Sequence, residues 1–114
     1  DLSRAALATQ DRSTGRVLFE AAAQGGAQAG GRSSGVIETG AWADLVGLEA
    51  DNQWLCNRQG DAALDSLVFG GGGQACISDV WSAGRHVVKE GRHVSRDAIV
   101  AKFKTTMRQL EASL

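Results

Sequence analysis

The sequence is poor in the residue types that assemble compact catalytic and disulfide-bonded sites. Among its 114 residues there are two cysteines, two histidines and no proline. A small secreted domain usually carries more cysteines, so we interpret Cys56 and Cys76 as free thiols of a cytoplasmic protein, with a single disulfide as the alternative. A zinc site needs three or four ligands at suitable spacing, and no acidic motif joins His86 to His93. We therefore interpret the histidines as a strand residue and a loop residue near the surface.

Two further features are missing from the chain, a long apolar run and a strong charge of one sign. No stretch approaches the roughly 18 apolar residues that a membrane span needs, and residues 1–10 lack the apolar core of a signal peptide. Lysine and arginine number 12 against 13 acidic residues, which gives a formal net charge of -1. These values predict neither a membrane nor a nucleic-acid partner.

Fifteen glycines punctuate the chain and suggest where its elements end. After a loop or frayed helix over residues 1–12, Ser13 and Thr14 offer helix N-caps. Apolar residues at helical spacing then predict a helix over Arg16–Gln24. Gly25 and Gly26 are expected to stop it, with a separate short turn over residues 26–29.

The middle of the chain alternates short apolar runs with glycine-rich loops. Residues 43–48 predict a strand, and Asp61 is expected to cap a short helix that ends near Phe69. The β-rich runs 77–81 and 85–88 flank Ser82-Ala83-Gly84, which predicts a hairpin. Three or four strands make a sheet with exposed edges and little to pack against. The sequence thus indicates an α+β segment whose remaining strands come from elsewhere.

The last 20 residues carry the clearest periodic signal. Ser95 is a candidate N-cap, and Asp97 places a negative charge in the first turn. The spacing predicts a helix over Arg96–Ser113 with one apolar stripe, formed by Ile99, Val100, Phe103, Met107, Leu110 and Leu114.

Three local patterns could carry chemistry, and each has a simpler structural interpretation. Cys56 or Cys76 could be a nucleophile with His86 as base, although nothing in the neighbouring sequence supports the pairing. The four glycines of residues 70–73 could cradle a phosphate. A helix precedes them, and no Gly-Lys-Ser/Thr sequence follows, so we interpret them as a flexible connection.

Asp44 stands within an apolar run, where an unpaired carboxylate would cost several kcal/mol. It could be catalytic, but no histidine or second carboxylate is near it in sequence. We favour a structural role, in which it braces a neighbouring loop through backbone N–H groups. Trp81 is expected to pack against the layer that covers the sheet, and Trp42 and Trp54 to lie at an interface with further protein.

Three longer stretches resemble a known superfamily. Residues 21–30 (AAAQGGAQAG) and 35–48 (GVIETGAWADLVGL) are similar to a pattern near the end of many amidohydrolases, where a barrel-closing helix leads to G-x-I-x-x-G-x-x-A-D-L-V. Residues 77–93 (ISDVWSAGRHVVKEGRH) are similar to the hairpin V-x-D-V-x-V-x-G-x-x-V-V-x-x-G-R of the same superfamily. Within it, residues 15–22 and 64–71 most resemble the tail of the formimidoylglutamate deiminases.

This resemblance implies the C-terminal segment of a larger enzyme. Residues 1–34 would end a TIM-like (β/α)₈ barrel with its last helix, residues 35–94 would be the C-terminal part of a composite β-sandwich, and residues 95–114 would be a terminal amphipathic helix. The missing N-terminal part of the same protein would be its partner, and the whole enzyme would be a homodimer. A barrel needs about 250 residues, more than this chain supplies.

The resemblance also implies a reaction and a cofactor. The full enzyme would hold zinc or another divalent metal and convert the small molecule N-formimino-L-glutamate to N-formyl-L-glutamate and ammonia. The family's metal-binding and catalytic motifs have no match in this sequence, so no catalytic, cofactor-binding or metal residue is assigned, and the segment alone is expected to be inactive. The alternatives are another amidohydrolase, acting on nucleobases or imidazolone rings, and a stand-alone α+β interaction module that binds a partner through its terminal helix.

Overall fold

The computed structural model describes residues 12–114, so the expectation for residues 1–11 lies outside the described part of the chain. The elements follow one another as helix α1 (Thr14–Gly30), strand β1 (Leu45–Leu48), helix α2 (Asp61–Phe69), a short 3₁₀ helix (Gly73–Cys76), strands β2 (Ile77–Ser82), β3 (Arg85–Lys89) and β4 (Arg92–His93), and helix α3 (Arg96–Ala112). The described chain is thus a small α+β unit, as the sequence predicts.

Helix α1 is longer than its glycines suggest. The Ser13 hydroxyl accepts a hydrogen bond from the Arg16 N–H at 3.2 Å, which confirms Ser13 as the N-cap. The predicted stop at Gly25 and Gly26 is wrong, because the helix continues to Gly30 and is capped by Gly31 in the left-handed conformation. An interior glycine costs a helix only about 1 kcal/mol relative to alanine, which the hydrogen bonds of a helix already under way can offset.

The sheet is antiparallel, with strand order β1-β2-β3-β4. Strand β1 is shorter than the predicted run of residues 43–48, and Asp44 therefore precedes the strand and does not lie inside it. The predicted hairpin is confirmed, although Ser82 belongs to β2 and only two residues form the turn. Both Ala83 and Gly84 have positive φ, at 53° and 79°. Left-handed central residues match the right-handed twist of the strands that they join.

A second two-residue turn joins β3 to β4. Glu90 and Gly91 have φ of 51° and 75°, and Lys89 pairs with Arg92 across the turn. His93, which we expected in a loop, therefore lies in a short edge strand and pairs with Val88. It stays exposed, and its Nδ1 accepts a hydrogen bond from the Ser95 N–H at 3.0 Å.

Helices α1 and α2 meet at a close contact. Gly15 is buried there, and a Cβ at this position would lie 2.8 Å from the Asp65 Cα. The N-cap of α2 is Gly60, so the expectation that Asp61 caps this helix is wrong. The Asp61 carboxylate instead accepts the Ser13 N–H at 2.7 Å and pairs with the Arg16 guanidinium. This carboxylate thus ties the start of α2 to the start of α1.

Very little apolar surface is enclosed in the described part of the chain. Among residues 12–114, Leu55 and Cys76 are the buried hydrophobic residues. Helix α3 ends at Ala112, one residue before the prediction, so Leu114 of the predicted stripe lies beyond it. The rest of the stripe is not covered, since no residue of α3 is buried. Other large side chains are similarly exposed, including Ile37 at 89% and Val46 at 57%. The fold is therefore held together largely by strand pairing and by polar contacts between side chains and backbone.

Candidate functional site

The two cysteines do not form a nucleophilic site with His86. Both cysteines are free thiols, as the sequence predicts, and Cys56 is exposed whereas Cys76 is buried. The Cys76 thiol donates to the Asn52 side-chain oxygen at 3.6 Å, and the Cys56 thiol to the Gln53 carbonyl at 3.7 Å. Neither thiol is directed at an imidazole, so the arrangement gives no base for either.

Two of the four glycines of residues 70–73 pack against a tryptophan ring. The Trp54 ring lies against Gly71 and Gly72, and a Cβ on Gly72 would be 2.6 Å from the indole and 2.5 Å from the Cys76 sulfur. A 3₁₀ helix and not an α-helix follows the run, so a phosphate would meet no helix N-terminus of useful length. The glycines therefore serve close packing.

Asp44 braces a loop, as the sequence suggests. Its Oδ1 accepts the Ala83 N–H at 2.8 Å and a hydrogen bond from Arg32 Nη2 at 2.9 Å, and its Oδ2 pairs with Arg32 Nε. The Arg32 guanidinium also lies 4.6 Å above the centre of the Trp42 ring. These contacts, first the Arg32 hydrogen bonds and then the Ala83 N–H, hold the pKa of Asp44 well below its usual range.

The contacts of Asp44 stabilise the turn between β2 and β3. Ala83 occupies a left-handed conformation that a residue with a Cβ adopts at a cost, and the carboxylate holds its N–H in that conformation. The adjacent Gly84 N–H donates to the Ala43 carbonyl at 2.9 Å. Together these bonds fix the β2–β3 turn against the segment that enters β1.

The sheet carries one polar cluster that the sequence did not predict. Trp81 and His86 are partners across β2 and β3, and their rings stack with centroids 4.4 Å apart and planes at 11°. The His86 Nε2 donates to Asp79 Oδ2 at 2.8 Å. The hydrogen bond from Ser78, and then that from His86, lowers the pKa of Asp79. Trp81 thus packs on a histidine of its own sheet, where we expected a covering layer.

The Asp79–His86 pair opens onto a shallow groove of about 420 Å³. Glu49, Lys89 and Glu90 line the same groove. The pair could accept and release a proton, but a hydrolytic site also needs a nucleophile or an activated water. The His86 Nε2 is occupied by Asp79, and the nearby Ser78 hydroxyl lies between Asp79 and the Gly47 carbonyl, 3.4 Å from the latter, so no nucleophile is aligned with the imidazole among residues 12–114.

The hairpin register was the signal that could have revealed this pair. A two-residue turn after Ser82 places Trp81 opposite His86, and Asp79 lies on the same face as Trp81 because side chains alternate along a strand. Arg32 gave no such signal, since its contact with Asp44 spans an irregular segment of twelve residues.

A metal does not fit the described residues. Within residues 12–114, no three histidine, cysteine, aspartate or glutamate side chains converge closely enough to hold a metal ion. None of the helices in that range is long and apolar enough to cross a membrane.

Comparison with known proteins identifies relatives of this chain, which the chemistry of its own side chains does not. The sequence is 38% identical over 96 residues to formimidoylglutamate deiminase from Pseudomonas aeruginosa, which covers 84% of this chain and 21% of the deiminase. The structure superimposes on the crystal structure of an amidohydrolase from Brucella melitensis with a TM-score of 0.72 at 35% identity, covering 91% of this chain and 22% of that protein. No family model matches the sequence. The chain thus spans about a fifth of the length of either relative, and the resemblance inferred from its motifs is confirmed.

Proposed function

Because the chain is a relative of the amidohydrolases in both sequence and structure, we propose that it is the C-terminal part of a metal-dependent hydrolase of this family. The proposed reaction is the deimination of N-formimino-L-glutamate to N-formyl-L-glutamate and ammonia. The observation that carries the proposal is the 38% identity to a formimidoylglutamate deiminase over most of the chain.

The described residues would contribute the scaffold and not the catalytic centre. The metal, zinc or another divalent ion, would be held by residues outside the described part of the chain, because those within it provide no ligand set. The small-molecule substrate would bind there as well. We place the enzyme in the cytoplasm, where the free thiols Cys56 and Cys76 would stay reduced.

The sheet suggests how the rest of the polypeptide would join this segment. Strand β1 is at the end of the strand order, so within the described residues its outer edge has no partner strand. An apolar groove of about 440 Å³ runs beside it, lined by Phe19, Val36, Leu45 and Trp81. We propose that strands from the missing N-terminal part pair with β1 and cover this groove, which would complete a β-sandwich. Helix α1 would then be the last helix of the barrel.

Ammonia release by the full-length polypeptide that carries these residues tests the proposal. We expect release from N-formimino-L-glutamate with formation of N-formyl-L-glutamate, detected by mass spectrometry. A chelator should abolish the activity, and added zinc should restore it.

Two comparison substrates separate this function from its alternatives. Ammonia from a nucleobase, or ring opening of an imidazolone, without turnover of N-formimino-L-glutamate would identify another amidohydrolase. A full-length polypeptide that turns over none of these compounds, with or without added metal, would contradict the proposal and support an interaction module.

A further inference from the structure

The first turn of α3 lacks the side-chain acceptor that commonly closes a helix N-terminus. Ser95 stands at the N-cap, but its hydroxyl makes no capping hydrogen bond. In a capping box, a glutamate or glutamine three residues after the N-cap accepts the N–H of the N-cap residue. Ala98 occupies that position in α3 and offers no side-chain acceptor. The Ser95 N–H therefore needs an acceptor from outside the helix.

An imidazole of strand β4 supplies this acceptor. The His93 Nδ1 accepts the hydrogen bond from the Ser95 N–H at 3.0 Å. A ring nitrogen accepts a hydrogen bond only while it carries a lone pair, so the contact requires a neutral imidazole with its proton on Nε2. In the imidazolium form both ring nitrogens are donors, and Nδ1 would then face the Ser95 N–H as donor against donor. A single proton thus decides whether this bond is made.

Protonation would also change the charge balance at the start of α3. The charged and titratable residues of the elements that meet here are His86 and Lys89 of β3, Glu90 of the turn, Arg92 of β4, and Arg96 and Asp97 of α3. Asp97 already pairs with Arg92 at 2.8 Å and with Arg96 at 3.6 Å. An imidazolium would add a further positive charge at a helix N-terminus, where the helix dipole favours anions.

The same imidazole contact helps to hold α3 to the sheet. The Val94 N–H donates to the Val87 carbonyl at 2.9 Å, which fixes the chain to β3 just before the helix begins. Beyond that point the Arg92–Asp97 pair connects β4 to α3, but its side chains are exposed and contribute little. No residue of α3 is buried among the described residues. The position of the first turn relative to the sheet therefore depends largely on the bond to the imidazole.

We propose that the junction between β4 and α3 is a pH-sensitive hinge, in which neutral His93 closes the first turn of α3 and its protonation opens that turn. The closed turn is present in mildly alkaline solution. It is lost as the pH falls through the range of about 5 to 8 in which imidazoles titrate. The inference depends on this junction alone and holds whatever reaction the full-length enzyme catalyses.

Hydrogen exchange in the full-length protein tests the hinge, followed at single amides by mass spectrometry and corrected for the intrinsic exchange rate. The informative amides are those of Ser95 and of Ile99, which donates to the Ser95 carbonyl at 2.9 Å. We expect their protection to fall about fivefold between about pH 7.5 and about pH 5.5, as for the loss of a capping bond. Ordinary carboxyl groups stay ionised over this interval.

Three variants separate the proposed proton from other causes. His93→Asn keeps a side-chain acceptor that does not titrate, so its protection should be the same at both pH values. His93→Ala should lose the protection at both. His86→Gln removes the other histidine of the sequence and should keep the pH dependence of the wild type. Amide protection in α1 shows that each variant is folded.

Two results would overturn the proposal directly. One is a wild-type protein in which Ser95 and Ile99 are equally protected at both pH values, and the other is a pH dependence that persists in His93→Asn. A pH dependence that disappears in His86→Gln would assign the proton to His86 and would contradict the proposal as well.

Discussion

Helices α1 and α3 are both 17 residues long, but they differ in how their first turns are capped and in whether any of their residues are buried. The start of α1 is fixed by the Ser13 hydroxyl and by the carboxylate of Asp65, which accepts the Gly15 N–H at 2.8 Å. In contrast, the Ser95 side chain makes no capping bond, and no residue of α3 is buried. Within residues 12–114, α1 is therefore the better anchored of the two helices.

The two helices differ in the kind of contact that stabilises them. Helix α1 is integrated by polar contacts with α2 and, just beyond its C-terminus, through Arg32 with the sheet. Among the described residues α3 carries its apolar residues outward. Helices in proteins are stabilised mainly by packing of their apolar face, so we expect the stability of α3 to come mainly from a surface that covers this stripe.

The largest expected effect concerns the close approach of α1 and α2. Gly15→Ala places a Cβ 2.3 Å from Asp65 Oδ1 and 2.8 Å from its Cα, so the two helices must separate. We expect a loss of about 1–3 kcal/mol in the free energy of unfolding, as for other overpacked positions. Urea denaturation of the full-length protein measures it.

A glycine in the same helix provides the matched control. Within the described residues, a methyl group on Gly25 would meet no atom of another element within 4 Å, and alanine is the better helix former. Gly25→Ala should therefore stabilise the protein by about 0.5–1 kcal/mol. Equal effects of both substitutions would show that the close contact of Gly15 with α2 does not anchor α1.

A smaller effect is expected at the C-terminal end of α1, where the tie to the sheet depends on pH. The pKa of Asp44 is lowered by Arg32, so its ionised form stabilises the fold above the ordinary carboxyl value of about 3.9. That contribution is lost as the pH falls through the lowered pKa. In Arg32→Met the pKa of Asp44 rises, and acid unfolding should begin at a higher pH.

Tryptophan fluorescence follows this transition, since Trp42 lies beneath the Arg32 guanidinium. Lys102→Met removes one positive charge from α3 and should leave the acid transition in place. An identical shift in both variants would assign the effect to net charge and not to the Asp44 contact.

The smallest effect is expected where α3 meets the sheet. Arg92 donates to Asp97 at 2.8 Å, but the two side chains are 59% and 86% exposed. Ion pairs of this kind contribute little, because water and salt screen them. Arg92→Gln should leave the urea midpoint unchanged within error. A clear loss of stability would mean that α3 is anchored by the sheet after all.

Local signals predicted the hairpin and α3, since both depend on neighbouring residues. A two-residue turn with glycine sets the strand register, and a 3.5-residue repeat defines a helix face whether or not anything covers it. Gly25 and Gly26 do not end α1, because the hydrogen bonds of a helix already formed outweigh the local preference of glycine for other conformations. The Asp79–His86 contact was within reach of register arguments, whereas Arg32 and Asp61 act across loops that have no repeating geometry.

The sequence by itself determined the helices, the hairpin and, through its motifs, the likeness to the amidohydrolases. These features depend on short-range backbone preferences and on residue order, which a chain carries with it. Only the tertiary structure decided which carboxylates brace which turns, that a histidine stacks on Trp81, and that the stripe of α3 stays uncovered. Asp44 and Ala83 are far apart in sequence, and Trp81 meets His86 only once β2 has paired with β3, so the energies of these contacts exist only after the elements have met.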